Sequence, residues 1–577
     1  MGFWSLLQCA LFLLLVTALV KPVGGYLLRV FNAEKTLLDP ALRPIEGLIY
    51  RVARINPTEE MDWKRYATCF VLLGLAGSLL LYGLLRVQRF LPWFYFSYHT
   101  TPLPPDLAVN TAISFSTTTT WQAYAGENTL SYFTQMVGLA SQGFIAGGSG
   151  LAVGVAFIRG LSRDDSRTIG NFWVDVVRSI LWILLPASIV GSLLLVWQGT
   201  PMNFQSYVEA LPLEGGRQVI PQGPVAGLEL IKNLGTNGGG FFNANGAHPY
   251  ANPTPLTNYL GMLAIVVLPA SLTNMYGRII GRPRDGWLLY WVMTFLFFLG
   301  VLTTLWAEQS GNLPLARSYT PISEVSSKQW SGNMEGKEVR FGIGQSILTA
   351  VTTANTSTGS TNSTDDSYSP MGGMVILASM LLGEIVFGGL GSGLYGIIMI
   401  ALIALFLAGI MIGRSPEYLG KVIGTSEIRL ITLYTLAGPV ILTTLTALAL
   451  VTPAGLSSLT INSGPHGLTE TLSAYASCFA NNGQSFASLA SNTVFYNVTT
   501  PVAMVVGRYG LAITALALAG RLAVQGRRPR TVGSLPTDTL SFAVLIVGTA
   551  FIVGGLSYFA VLALGPIAEH LMMTGAI

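Results

Sequence analysis

Charge is what this sequence has least of. Asp, Glu, Lys and Arg make up 10% of its 577 residues while hydrophobic residues make up 51%, and soluble domains carry roughly 25% charge. No polar stretch is long enough for a large soluble domain, so the chain reads as a polytopic membrane protein. Only three cysteines are present, Cys9, Cys69 and Cys478, scattered without metal-ligand spacing. No disulfide framework or zinc site is implied. All four histidines, His99 among them, fall outside the apolar runs, which argues against an intramembrane His proton relay. A G-x-x-x-x-G-K-[ST] loop and an Asp-Lys-Thr-Gly motif are both missing, so the chain has no visible means of using ATP. Nor does it show a nucleophile, base and orienter set for an enzyme acting on lipid.

What is present is apolar sequence of membrane-crossing length. Runs long enough to cross a core of about 30 Å fall near 3–20, 67–85, 131–158, 173–197, 256–277, 286–307, 371–413, 430–451, 498–520 and 539–564. The expected fold is therefore all-α with ten transmembrane helices. The first run lacks a basic leader and is followed by Lys21, so it reads as an uncleaved span rather than a signal peptide. With the N-terminus outside, the inner loops hold 22 of the 31 Lys and Arg residues. The positive-inside rule then places both termini outside. Arg414 reads as an inner anchor of the seventh span. That span is too long to be straight and contains Gly388, Gly389, Gly391 and Gly393 within six residues, so a broken helix is expected there.

Four outer connections are long, near 86–130, 198–255, 308–370 and 452–497, and each ends in a Thr/Asn/Gly-rich stretch before the next span. Gly235-Thr236-Asn237-Gly238-Gly239-Gly240-Phe241 is too glycine-rich for a stable helix and too polar for lipid. Such backbone survives at membrane depth only where protein buries it or where it lines a watery cavity. Its counterparts are Ser116–Gln122, Asn355–Thr361 and Ala480–Phe486. Aligning Thr120, Gly238, Gly359 and Gly483 gives spacings of 118, 121 and 124 residues, the sign of an internal repeat. Short helical pieces before the loops, about 104–117, 223–235, 342–354 and 468–479, would point their partially negative C-terminal ends at a shared centre.

Glycine exposes its carbonyl, and Thr, Ser and Asn add side-chain oxygens. No carboxylate ring, Cys or His lies at the centres, so the donor set suits a monovalent hard cation held by neutral dipoles. The candidate ligands are Thr118, Thr119 and Thr120; Thr236, Asn237, Gly238 and Gly239; Ser357, Thr358, Gly359 and Ser360; and Asn481, Asn482 and Gly483. Trp121, Gln122, Gly240 and Gln484 flank them, with Gln122 placed to brace a neighbouring loop. Arg508, inside the ninth span, is costly in lipid and should face a partner or a wet cavity. Glu384 meets the same cost within the first half of the seventh span. The glycine-rich break beside it is a candidate gate. Asp365 and Asp366 follow the third loop, either concentrating cations at the mouth or serving as solvated loop residues.

The stretches 235–245, 389–396 (Gly-Leu-Gly-Ser-Gly-Leu-Tyr-Gly) and 478–486 (Cys-Phe-Ala-Asn-Asn-Gly-Gln-Ser-Phe), with Thr120-Trp121-Gln122 and Met411–Gly420, resemble the Kdp potassium-transporting ATPase, channel-like A subunit, over essentially the whole chain. The resemblance implies a pseudo-fourfold fold related to the Trk/Ktr/HKT potassium transporters. Its units would be 1–66 (first span and cytoplasmic loop), pore repeats 67–158, 159–277, 278–413 and 414–520, and 521–577 (loop and last span). It also implies potassium as the transported ion, no organic cofactor, and location in a bacterial or archaeal inner membrane. The implied partners are a P-type ATPase subunit, small C-like and F-like subunits and membrane lipid, with no nucleic acid. The family pattern carries Asn where this chain has Thr120, which bears on ion preference. The competing reading is a stand-alone Trk-like channel or ion-coupled transporter.

Overall fold

A computed structural model describes residues 2–91, 103–311, 332–413, 416–529 and 535–576. His99 and Arg414 lie outside the described residues. Among the described residues, ten helices are long and apolar enough to cross a membrane: Phe3–Phe31, Trp63–Phe90, Thr134–Ser162, Phe172–Trp197, Pro255–Ile279, Pro283–Gln309, Ser392–Ile412, Thr425–Val451, Val494–Val524 and Leu540–Thr574. They correspond one to one with the apolar runs. Their starts follow local chemistry. Asp62, Thr254, Thr493 and Thr539 cap the second, fifth, ninth and tenth through side-chain oxygens that accept backbone N–H bonds. Pro255 and Pro283 occupy first helical positions, where a missing N–H costs nothing.

Between spans two and three, four and five, six and seven, and eight and nine, a short helix enters: Pro105–Ser116, Val225–Leu234, Gly342–Asn355 and Gly464–Phe479. In all four cases the span after the short helix is more buried than the span before it: 83% against 22%, 61% against 39%, 67% against 56% and 61% against 22%. The inner layer is thus the third, fifth, seventh and ninth spans around the short helices. The first, second, eighth and tenth turn most of their surface outward.

The third span, the most buried, owes its place to a stripe of Gly143, Gly147, Gly150 and Gly154. A Cβ on Gly147 would press on the Gly235 backbone at 3.1 Å, and one on Gly154 would meet Gly391 Cα at 2.6 Å. Small residues at this spacing let backbones approach closely.

Three expectations are corrected. The seventh span breaks earlier than its glycines suggest: one helix ends at Leu381 and the next starts at Ser392, so Gly393 is already helical and the break covers 382–391. Glu384 lies in the break rather than in a helix, in left-handed conformation (φ +61°). The inner segment 21–66 is not simply a loop. The first helix continues to Phe31, and a separate amphipathic helix, Asp39–Val52, follows it. Two hairpins complete the connections, Val208–Ala210 with Gln218–Ile220 and Glu417–Tyr418 with Lys421–Val422.

Candidate ion-binding site

Each short helix ends just before a Thr/Asn/Gly-rich loop, and the four loops share one backbone pattern. Two left-handed residues stand two apart in each: Thr118 and Thr120 (φ +64° and +51°), Thr236 and Gly238 (+50° and +85°), Ser357 and Gly359 (+56° and +77°), and Asn481 and Gly483 (+51° and +86°). The second of each pair is the residue aligned from sequence. Left-handed backbone is cheap for glycine and costly for a β-branched residue. Three of the four centres are glycine; Thr120 is the exception.

The centres touch in cyclic order. A Cβ on Gly238 would overlap the Thr358 carbonyl oxygen, one on Gly359 that of Asn482, and one on Gly483 that of Thr119. At the fourth contact the Thr120 hydroxyl donates to the Asn237 carbonyl. Each loop therefore presses its centre on the carbonyl preceding the next loop's centre, and the circuit closes. Thr is admissible at 120 because its hydroxyl turns a steric contact into a hydrogen bond. The four carbonyls concerned, of Thr119, Asn237, Thr358 and Asn482, belong to residues at most 2% exposed.

Side chains fix the loops rather than crowd the ring. Asn237 Nδ2 donates to the Gly143 carbonyl at 3.0 Å and Asn482 Nδ2 to that of Thr353 at 2.9 Å. Asn481 Nδ2 donates to Thr119 Oγ1 and to the Met504 carbonyl, both at 3.0 Å. Ser357 Oγ donates to the Ala480 carbonyl. Thr117 with Thr119 and Thr356 with Thr358 make equivalent 2.9 Å hydroxyl contacts in loops one and three. Gln122 clasps Gly240 twice, accepting from its N–H at 2.9 Å and donating to its carbonyl at 3.2 Å. Trp121 is buried, its carbonyl accepting from Ser114 Oγ at 3.1 Å. Gly239 packs on Thr120 and Phe115, and Gln484 donates its backbone N–H to Asn482 Oδ1 at 3.0 Å. Ser360 stands apart from the ring contacts, on a small cavity that Asn233, Asn362, Met262 and Ile265 also line.

Thr120, Gly359 and Gly483 also line a cavity of about 380 Å³, walled by Trp121, Gln122 and Gln484 and by the loop segments beyond them. At the other end of the second loop, Thr236 Oγ1 accepts the Leu390 N–H at 3.1 Å. That bond ties the loop to the break in the seventh span. From the start of the next helix, Ser392 Oγ donates back to Glu384 Oε2 in the break at 2.8 Å. Gly388 lies against Gly393 and the Glu384 carbonyl, Gly389 near Thr236 and Glu384, and Gly391 against the third span at Gly150 and Gly154. Arg508, 8% exposed in a π-turn of the ninth span, donates through Nη2 to the Ala146 carbonyl at 2.7 Å and stands over the Phe70 ring at 5.6 Å. A Cβ on Gly150 would meet both the Leu390 carbonyl and the Arg508 guanidinium. Loop, break and arginine therefore converge on one stretch of the third span.

Sequence reasoning misplaced the two aspartates. Asp365 is 2% exposed with neither oxygen hydrogen-bonded, and burial pushes its carboxyl up to about 7. Asp366 bonds His466 Nε2 at 2.8 Å and accepts from Asn462 and Ser488. Neither is a free charge at the mouth. Sequence reasoning also missed Lys232. It is 1% exposed and donates to Asn245 Oδ1 at 2.6 Å, and Asn245 Nδ2 reaches the Gly238 carbonyl at 2.8 Å. The sequence did carry a signal, since a lysine three residues before a glycine-rich loop within an apolar helix has few ways to stay in water.

A family model described as potassium-transporting ATPase A subunit matches residues 10–571. A potassium-transporting ATPase potassium-binding subunit of Methylorubrum extorquens is 49% identical over 564 residues, covering 98% of this chain and 97% of the relative. The protein of the same description from Bradyrhizobium diazoefficiens is 48% identical over 568 residues, covering 98% of each. Among solved structures, the potassium transporter TrkH from Vibrio parahaemolyticus aligns with a TM-score of 0.50 at 14% identity, over 89% of this chain and 97% of that one. That likeness concerns the fold.

Proposed function

The chain belongs to the family of potassium-transporting ATPase A subunits, and on that premise we propose that it is the potassium-binding, channel-like subunit of an ATP-driven uptake complex. It is the non-catalytic component, with ATP hydrolysis residing in another subunit. The observation that carries the filter assignment is the closed cyclic contact of four loops through Thr119–Thr120, Asn237–Gly238, Thr358–Gly359 and Asn482–Gly483. A dehydrated potassium ion needs several oxygens at once, and a ring of neutral carbonyls supplies them without the charge that would favour a divalent ion. Each short helix adds about half an elementary negative charge at its C-terminus, aimed at the ring.

In this reading the 380 Å³ cavity is the extracytoplasmic vestibule, with both termini on the same side. The ion sheds water at the ring and meets the break at 382–391, where unwound backbone occludes the path and can move. Arg508 places a positive charge beside that break, which limits ion occupancy and unaided leak. From there the ion passes to a P-type ATPase partner, with C-like and F-like subunits completing the complex. The four units of span, short helix, loop and span are the pore repeats, flanked by one extra span at each end.

The test is Gly238→Asp in the assembled complex. A side chain there meets the Thr358 carbonyl and adds a charge to a neutral ring. The potassium concentration that half-stimulates ATP hydrolysis should rise at least about tenfold, equivalent to ~1.4 kcal/mol. Wild-type dependence with normal assembly would sink the filter assignment.

A further inference from the structure

The helix Asp39–Val52, on the side of the molecule where the first span ends and the second begins, carries apolar side chains on two faces. A helix packed on a protein turns its apolar face inward. This one packs Leu42 and Ile49 against the protein beside a buried charge and still turns a second apolar stripe outward. Ala41, Ile45, Leu48 and Val52 recur at intervals of four, three and four, which at 3.6 residues per turn confines them to a stripe about 60° wide. Ile45, Leu48 and Val52 are 44%, 57% and 76% exposed, and Leu37, just before the helix, is 98% exposed. The opposite side carries Glu46, 8% exposed. Its carboxylate accepts from Arg178 Nε at 3.0 Å, Trp182 Nε1 at 3.0 Å and Tyr50 OH at 2.6 Å.

Those bonds fix the depth of the helix. Arg178 and Trp182 belong to the first three turns of the fourth span, and Arg178 also donates to the carbonyl of Phe31, the last residue of the first span, at 3.2 Å. The helix is therefore held where two spans leave the hydrocarbon, with its apolar stripe directed away from the protein. The surrounding charge is net basic, with Glu34 and Asp39 the acids beside Lys35, Arg43, Arg51 and Arg54. Lys35, Arg51 and Arg54 are exposed, and among the described residues their side chains have no ion pair. The acid on the helix's own edge, Asp39, is already taken by Arg43 at 2.6 Å.

We propose that Asp39–Val52 is an interfacial helix that immerses Leu37, Ala41, Ile45, Leu48 and Val52 in the adjoining leaflet and holds anionic lipid headgroups with Lys35, Arg51 and Arg54. A helix of this kind, lying in the plane between headgroups and acyl chains, binds through apolar burial plus attraction to anionic lipid. A partner subunit seated on the stripe would have to match both an apolar ridge and three unpaired cations at membrane depth. The lipid surface meets both requirements without a dedicated surface. Glu46 is the positioning residue: with its charge bound to the fourth span, the helix cannot roll its stripe back onto the protein.

The test places an environment-sensitive NBD fluorophore on Leu48→Cys in a Cys69→Ser background, Cys9 and Cys478 being buried. The full chain, with its co-purifying partners, is reconstituted into vesicles of phosphatidylglycerol and phosphatidylethanolamine. A Thr58→Cys label in the following exposed loop is the aqueous control, and retained potassium-stimulated ATP hydrolysis shows that both proteins are folded. The Leu48 label should emit to the blue of the Thr58 label. Lipid-borne nitroxides should quench it at least about twice as strongly as aqueous iodide does. Replacing phosphatidylglycerol by phosphatidylcholine should weaken that quenching, and Lys35→Gln/Arg51→Gln/Arg54→Gln should abolish the difference between the two lipids. Water-like emission with iodide access overturns the proposal, as does shielding from both quenchers, which would mean a protein partner. A lipid preference that survives the triple variant overturns the headgroup assignment.

Discussion

Thr120 concentrates the chemistry of the site in one residue. Its φ of +51° puts a β-branched side chain in a conformation that costs about 1–2 kcal/mol. Its hydroxyl offsets part of that cost by donating to the Asn237 carbonyl, a bond worth about 1 kcal/mol net. Thr120→Val keeps the strain and loses the bond, so it should melt lower than wild type and need more potassium. Thr120→Gly loses both and should melt close to wild type, as differential scanning fluorimetry of the complex will show. Asp365 gives the pH dependence. Its carboxyl, raised by burial to about 7, lies above the unfolded value of about 3.9. The stability associated with its neutral form is therefore fully present below about 4 and is lost as pH rises through about 7. The wild-type complex should melt lower at pH 8 than at pH 6 by more than Asp365→Asn does. Equal pH sensitivity in the two proteins would remove Asp365 as the cause.

At the scale of elements, the third span crosses the break in the seventh at close backbone range. Gly154→Ala would drive a methyl into Gly391 Cα. Overpacking of this kind costs about 1–3 kcal/mol, and here it also pushes on the segment that ties Thr236 to Leu390. Reduced transport with a lowered melting temperature is expected; transport and melting like wild type would show the joint to be loose. The elements themselves were largely legible. Runs of apolar residues exceeding the bilayer thickness leave little choice of structure, and even spacing of four polar loops gave the ring alignment. The break was misjudged because glycine marks where a helix can end, not where it does: one helix stops at Leu381 and the next starts at Ser392. The interfacial helix was missed because its pattern is amphipathic but its orientation is set by Glu46 and Arg178, which lie 132 residues apart.

Across the whole molecule, what could be read from the sequence was the set of parts, and what could not was their polarity of contact. Spacings of 118, 121 and 124 say that four loops correspond, but not that each centre presses on the carbonyl before the next one's centre. That order depends on tertiary packing. The buried place of Asp365 was likewise invisible, since local sequence marks it as a surface charge. Membership in the family of potassium-transporting ATPase A subunits implies an ATPase partner complex. A tagged chain should therefore bring an ATP-hydrolysing subunit out of membranes, and the isolated chain in liposomes should not conduct potassium freely.

The central claim is that four unequal loops make one ring, and the most direct measurement compares its glycine centres. Gly238→Ala, Gly359→Ala and Gly483→Ala each place a methyl on the carbonyl of the next loop. Potassium titration of ATP hydrolysis by the three assembled complexes should show all three half-saturation values raised, by at least about tenfold each, with weaker discrimination against sodium. Wild-type potassium affinity and selectivity in any one assembled variant would take that loop out of the ring and contradict the account.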